Sequence, residues 1–142
     1  MPNHCCNTLV IAKEAMPVII QKYIRLDERG RRIFDFNLIE PIGEAGDEYG
    51  ERLEKWGTKW VGYGLSIGDT EISFFTAWEP PLPIIRKLAE LHKDFVFRLE
   101  YYEVGMAFRG IYTAKLMKDG KVKVEDKNWN MAEKDFKELG FI

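Results

Sequence analysis

Two tryptophan-bearing segments carry the residues best suited to bind a ligand. They read Trp56-Gly-Thr-Lys-Trp60 and Thr76-Ala-Trp-Glu-Pro-Pro81. Indole rings can stack on a base or another ring of a ligand, and the charges of a lysine and a glutamate can orient that ligand. Together the two segments could form an aromatic pocket with one positive and one negative side chain. The alternative is a tryptophan-rich edge of the core with a Lys59–Glu79 salt bridge. The residues predicted to bind at this corner are Trp56, Thr58, Lys59, Trp60, Thr76, Trp78 and Glu79.

A second candidate surface is the outward face of the predicted sheet. Alternation places Phe75, Arg98, Glu100, Tyr102 and Arg109 there, and aromatic side chains on such a face stack bases in RNA-binding sheets. The carboxylates of Glu100 and Glu103 would repel phosphates. A solvated face, or one covered by the C-terminal helix, is the favoured interpretation, and Tyr102 and Arg109 remain candidate binding residues.

An arginine cluster offers a possible nucleic-acid contact. Its members are Arg25, Arg29, Arg31 and Arg32. Guanidinium groups bind phosphates in bidentate fashion. Asp27 and Glu28 interleave the cluster, so a solvated helix end is the alternative interpretation.

The sequence contains no pattern typical of a catalytic or metal centre. His4-Cys5-Cys6 offers soft ligands, but successive strand residues point to opposite faces, and the other histidine, His92, is predicted on a helix. No cation or base is predicted beside either cysteine to lower the thiol pKa. We therefore predict no catalytic residue, no metal and no cofactor.

Composition and charge indicate one globular domain, residues 1–142. The net charge of −2 gives no overall attraction to phosphate backbones or anionic membranes. The apolar runs are shorter than the roughly 18 residues that a membrane span needs. The two cysteines are adjacent, which favours a reducing compartment, and so we expect a cytoplasmic protein.

Periodicity predicts the elements that position these residues. In chain order they are a strand at 4–12, a helix from 14 to about 30, an extended segment at 34–41, an acidic helix at 47–56, strands at 60–67 and 70–78, a helix that the prolines at 80–83 open and that closes at 94, strands at 95–103 and from after 105 to 118, a strand at 121–125, and a helical turn or two at 131–139. Gly68-Asp69 and Asp119-Gly120 are tight-turn signals. The first of these turns folds a hairpin whose outer ends are the two tryptophan segments, so the segments should meet.

The order strand, helix, strand, strand, helix, strand predicts an α+β, ferredoxin-like split βαβ sandwich. Helices would cover one face of an antiparallel sheet, with an added C-terminal hairpin and short helix. The other face is left for solvent, for these C-terminal elements or for a partner.

Five ordered motifs resemble the YubB-like proteins of plasmids and phages. They span residues 3 to about 110: Asn3 and Cys5 with Asn7-Thr-Leu, Phe34-Asp-Phe-Asn-Leu-Ile-Glu-Pro41, Trp56-Gly-Thr-Lys-Trp60, Phe75-Thr-Ala-Trp-Glu-Pro-Pro81, and Gly105-Met-Ala-Phe-Arg-Gly110. The resemblance implies a ferredoxin-like domain and residence on a mobile element, and it implies no catalytic residue. His4 stands where a tryptophan is common in that family, and Val61 where an acidic residue is common.

The dense aromatic surface without a catalytic constellation predicts a non-enzymatic binding protein. The resemblance implies an accessory protein that binds a host protein, for example to counter a defence system. The alternative is a small enzyme, with Lys59 and Glu79 as acid and base, or a nucleotide- or nucleic-acid-binding module at the same corner.

Overall fold

The computed structural model describes residues 3–43 and 48–142. Eight strands and four α-helices were assigned in these ranges. They are β1 His4–Val10, α1 Met16–Tyr23, β2 Ile24–Leu26, β3 Arg32–Phe34, α2 Glu48–Trp56, β4 Tyr63–Ile67, β5 Glu71–Ala77, α3 Leu82–Leu91, β6 Phe97–Glu103, β7 Phe108–Leu116, β8 Val122–Asn130 and α4 Glu133–Glu138. A 3-10 turn, Phe36–Leu38, follows β3.

The main sheet is antiparallel and six-stranded, in the order β4-β5-β1-β6-β7-β8. β1 pairs with β5 on one side and β6 on the other, which places Cys6 opposite both Phe75 and Tyr102. With α1 and α3 as the crossovers, β1, β4, β5 and β6 form the split βαβ arrangement, and β7 and β8 extend it. The predicted α+β, ferredoxin-like fold is confirmed.

The core lies between the sheet and α3. Strand alternation sends Leu9 of β1 and Leu99 of β6 to this face, and the helical repeat of Ile84, Ile85 and Leu88 meets them. All five side chains are fully buried. Burying each such side chain contributes about 1.5–3 kcal/mol, so this layer holds the sheet to its helix.

The first predicted helix is shorter than expected. It ends at Tyr23, and the chain continues into β2 and β3, a two-stranded hairpin. Asp27 accepts hydrogen bonds from the backbone N–H groups of Arg29 and Arg31, both at 2.9 Å, and Gly30 has a φ of +77°. The prediction of a helix to residue 30 was wrong because this local turn chemistry ends the helix early.

Three other boundaries differ from the prediction. Extended structure after residue 34 gives way to the 3-10 turn, because the Asp35 carboxylate accepts the Asn37 N–H at 3.1 Å. The strand predicted from residue 60 begins at Tyr63, whereas β8 runs to Asn130 instead of 125. Asp47, the predicted start of the acidic helix, lies outside the described residues.

None of the helices in the described ranges is both long and apolar enough to cross a membrane.

Candidate functional site

The structure brings the two tryptophan segments together. The Thr58 hydroxyl donates to the Ala77 carbonyl oxygen at 2.8 Å, and the Thr76 hydroxyl donates to the Glu79 carbonyl oxygen at 2.6 Å. Both threonines are fully buried. The Thr58 bond joins the two segments, whereas the Thr76 bond closes a turn within the second segment. Because both side chains are buried and bonded to the backbone, neither is available to a ligand, contrary to their selection as binding residues.

Gly57 permits the close approach of the first segment to the prolines that open α3. It has a φ of +80°, and a Cβ there would lie 2.6 Å from Pro83 Cδ and 3.1 Å from the Pro80 carbonyl oxygen. Any other residue at this position would push the two segments apart.

Trp78 leaves the face that alternation predicts for it. Ile72, Phe74 and Thr76 are buried, and strict alternation would bury Trp78 with them. Instead Trp78 has a φ of +69°, and its N–H donates to the Asn3 carbonyl oxygen at 2.9 Å. A left-handed conformation in a bulky residue is uncommon, and here it leaves the indole 42% exposed.

Trp78 and its neighbours line a groove of about 400 Å³, called here the Trp78 groove. The lining residues are Leu53, Lys59, Ala77, Trp78, Glu79, Met106 and Phe108. A second groove of about 430 Å³ shares Leu53, Glu79 and Phe108 with it and continues over Pro80 and Tyr101. The combined surface has apolar walls and two charged side chains, Lys59 and Glu79, which suits an apolar anchor with a polar flank.

Lys59 lies between the groove and Trp60. Its ammonium nitrogen is 5.2 Å from the centroid of the Trp60 ring, a cation–π distance. Trp60 is 38% exposed and contacts Tyr63 edge-on at 6.4 Å. Among the ion pairs of residues 3–43 and 48–142, none joins Lys59 to Glu79. A Lys59–Glu79 salt bridge, the alternative interpretation of the sequence, therefore does not stabilise the contact between the two tryptophan segments.

Trp56 lies in the core rather than at the groove. Only 2% of it is exposed, its indole N–H donates to the Glu40 carbonyl oxygen at 2.8 Å, and its ring meets Phe36 edge-on at 5.9 Å. This places Trp56 out of reach of a ligand, contrary to its selection as a binding residue.

The outward sheet face is partly covered by the C-terminal segment. Tyr102 contacts Phe141 at 6.0 Å. Arg109 donates to Asp135 at 3.0 Å and to Glu138 at 2.8 Å, and its guanidinium lies 5.8 Å from the Trp129 ring. Arg109 is thus engaged in docking α4, which weakens the case for a phosphate contact.

We predict that docking of α4 depends on the ionised Asp135 carboxylate. The hydrogen bond from the Ala132 N–H, with those from Trp129 and Arg109, holds the pKa of Asp135 below its ordinary value. A carboxyl whose pKa is lower in the folded chain stabilises the fold above its unfolded pKa, about 3.9, and this stabilisation is lost as the pH falls through the folded-state pKa. Trp129 fluorescence should therefore report release of α4 only below about pH 4.

Two variants separate this role from a general charge effect. Asp135→Asn should release α4 at neutral pH, whereas Glu138→Gln should not, because the Glu138 side chain is largely exposed and its ion pair contributes little. Equal effects of the two substitutions would contradict the assignment to Asp135.

The arginine cluster belongs to the β2–β3 hairpin and does not line the Trp78 groove. Arg25 donates to the carbonyl oxygens of Gln21 and Ile24, Arg31 pairs with Asp27 at 3.0 Å, and Arg32 donates to the Leu65 carbonyl oxygen at 3.3 Å. The fourth member is the exposed Arg29. Three of the four guanidinium groups thus stabilise the hairpin and its contact with β4.

Sequence reasoning missed a buried polar row beneath the groove. Glu103 is fully buried and accepts the Met106 N–H, which fixes the turn between β6 and β7. Asn7 donates to the Thr76 hydroxyl at 3.0 Å and to the Cys5 carbonyl oxygen at 3.2 Å. The expectation that Glu103, like Glu100, would repel phosphates at the outward face was wrong, because the alternation that places Tyr101 inward also places Glu103 inward.

Both cysteines are poor nucleophiles in this environment. Burial is the main cause that raises the pKa of the Cys5 thiol and of the Cys6 thiol. Nucleophilic attack and metal binding need the thiolate, which burial disfavours. In the part of the chain that the structure describes, no three His, Cys, Asp or Glu side chains are grouped as metal ligands.

Comparison with known families matches residues 55–139 to the ferredoxin-like domain in Api92-like protein. The chain belongs to this family. The matched part runs from the end of α2 through α4. It contains Trp60, Trp78 and every lining residue of the Trp78 groove except Leu53. No curated protein and no solved structure matches the chain.

Proposed function

We propose that this chain is a non-enzymatic accessory protein of a phage or plasmid, and that it binds a host protein in the cytoplasm, for example to counter a defence system. Its binding surface is the Trp78 groove with Trp60. The resemblance of the five sequence motifs to YubB-like proteins supports the mobile-element origin.

The proposal depends on two exposed tryptophans, Trp78 in the groove and Trp60, whose ring contacts the groove residue Lys59. Trp60 and Trp78 keep 38% and 42% of their surface exposed, and Met106 beside them keeps 65%. Tryptophan is usually highly buried, and tryptophan and methionine are enriched where protein surfaces bind other proteins. Lys59 and Glu79 at the same groove supply the polar flank that specificity requires.

A protein partner has better support than a nucleic acid. Four of the five candidate arginines are already engaged: Arg25, Arg31 and Arg32 by Asp27 and backbone carbonyl groups, and Arg109 by Asp135 and Glu138. The net charge of −2 adds no attraction to a polyanion.

The test compares host proteins captured by three forms of the tagged chain. Proteins captured by the wild type should be lost from the Trp60→Ala/Trp78→Ala variant, since removing one interface anchor costs about 2 kcal/mol or more, roughly 30-fold in affinity. The matched control is Leu26→Ala, which removes an exposed apolar side chain from the β2–β3 hairpin. Mass spectrometry identifies the captured proteins, and circular dichroism confirms that the variants are folded.

Undiminished capture by a folded double variant would refute binding at this surface. If Leu26→Ala lost the captured proteins to the same extent, any exposed apolar side chain would contribute to capture. That result would also contradict specific binding at the Trp78 groove.

A further inference from the structure

The two edges of the main sheet are protected to different degrees. At the β4 edge, Phe34 and Gly62 exchange two backbone hydrogen bonds of 2.9 and 3.1 Å, and Arg32 donates to the Leu65 carbonyl oxygen. At the other edge, β8 is nine residues long and, in the described ranges, pairs only with β7. A long edge strand presents unpaired N–H and C=O groups to another strand.

The side chains of β8 alternate in a self-complementary order. Lys123, Glu125, Lys127 and Trp129 share the outward face, and Lys123, Glu125 and Lys127 are well exposed. If a second β8 pairs antiparallel with a two-fold axis at Asp126, each Glu125 faces a Lys127 and each Lys123 faces a Trp129. Opposite charges and cation–aromatic pairs that face each other across strands are stabilising.

Neighbouring registers match less well. A two-fold axis at Glu125 would oppose Glu125 to itself and Lys123 to Lys127, and an axis at Lys127 would oppose Lys127 to itself. An axis at Val124 would pair Lys123 with Glu125, but it would also oppose Lys121 to Lys127 and would pair only residues 122–126 of each strand. Like charges directly opposite each other are destabilising, and the axis at Asp126 pairs all nine residues of β8, so charge order and strand length together favour this register.

We propose that two copies of this chain pair through β8 around Asp126, which joins the two six-stranded sheets into one continuous sheet. Trp129 is preorganised for this contact, since its indole N–H donates to Asp135 at 3.2 Å. The two Asp126 carboxylates meet on the opposite face and oppose the association. Pairing of single edge strands buries little surface, so the dimer is reversible and depends on concentration.

Sedimentation velocity of the full chain over a concentration series tests the proposal. The wild type should show a monomer–dimer equilibrium. Glu125→Lys turns both Glu125–Lys127 contacts into like-charge pairs and should raise the dimer dissociation constant at least about tenfold. Glu125→Lys/Lys127→Glu exchanges the two charges, restores both opposite-charge pairs and should return the constant to within about threefold of the wild type.

Asp126→Asn provides an independent variant with the opposite effect. It removes the like-charge contact at the two-fold axis and should lower the dissociation constant by about threefold or more. Circular dichroism and thermal unfolding of each variant at a concentration where it is monomeric check that the fold is intact.

Three results would overturn the proposal. One is a wild type that stays monomeric up to several hundred micromolar, in the range of weak encounter complexes. Another is a dimer unaffected by Glu125→Lys, which would place the interface elsewhere. The third is a double variant that dissociates as readily as Glu125→Lys, because that outcome would exclude the Glu125–Lys127 pairing that defines the register.

Discussion

Replacing Trp56 with alanine is expected to lower the free energy of unfolding by about 3–5 kcal/mol. The indole is buried against Phe36, its N–H holds the Glu40 carbonyl oxygen, and the Arg52 guanidinium lies 5.6 Å from the ring. Alanine would leave a cavity in the core and would remove the indole donor from the partly buried Glu40 carbonyl oxygen. Removal of a large side chain and loss of a buried hydrogen bond act in the same direction.

The other two tryptophans of the predicted corner supply the matched controls. Trp60→Ala and Trp78→Ala should each cost about 1 kcal/mol or less, because both indoles are already partly in water. Urea unfolding followed by circular dichroism measures all three variants. If Trp60→Ala or Trp78→Ala proved as costly as Trp56→Ala, these indoles would be core residues and the proposed binding surface would lose its support.

Replacing Gly110 with alanine is the second large destabilisation that we expect, at about 1–3 kcal/mol. Gly110 lies directly opposite Tyr101 on the neighbouring strand, and the tyrosine ring rests on the glycine. A Cβ at position 110 would lie 2.8 Å from Tyr101 Cε1 and closer still to Cζ and the hydroxyl oxygen. Tyr101 is buried, so its ring has little room to move away.

A double-mutant cycle identifies the cause of this loss. In a Tyr101→Ala background the added methyl group meets no ring, so Gly110→Ala should cost much less there than in the wild type. Gly68→Ala is the control glycine, since its nearest contact would be the Glu71 carbonyl oxygen at 3.7 Å. An unchanged cost in the Tyr101→Ala background would mean that backbone conformation, not the ring, requires glycine.

Displacement of Tyr101 would also change the shape of the candidate site. Tyr101 lines the groove beside the Trp78 groove and contacts Phe108, which lines both. Burial, with Asp126 nearby, raises the pKa of Tyr101 to about 12, so the ring meets the groove as a neutral phenol. The Gly105–Gly110 motif therefore shapes the groove from beneath, through a glycine that accommodates an aromatic ring.

Local patterns in the sequence determined most of the fold. Gly68-Asp69 and Asp119-Gly120 specify tight turns, and alternation along β5 and β6 specifies which face meets α3. These signals depend on a few neighbouring residues, so they can be recognised in the sequence without knowing which elements pack together. They also sufficed to predict that the two tryptophan segments meet, because a hairpin must bring its outer ends together.

Tertiary structure alone decided which residues of that corner are available to a partner. Trp56 and Trp60 are only four residues apart in the chain. Trp56 is buried against Phe36, whereas 38% of Trp60 is exposed. The left-handed Trp78 donates its N–H to Asn3, far away in the sequence, and Arg109 is paired with Asp135 and Glu138 of α4. Exposure and ion pairing depend on which distant segments pack together, and no periodicity within one strand or helix encodes that.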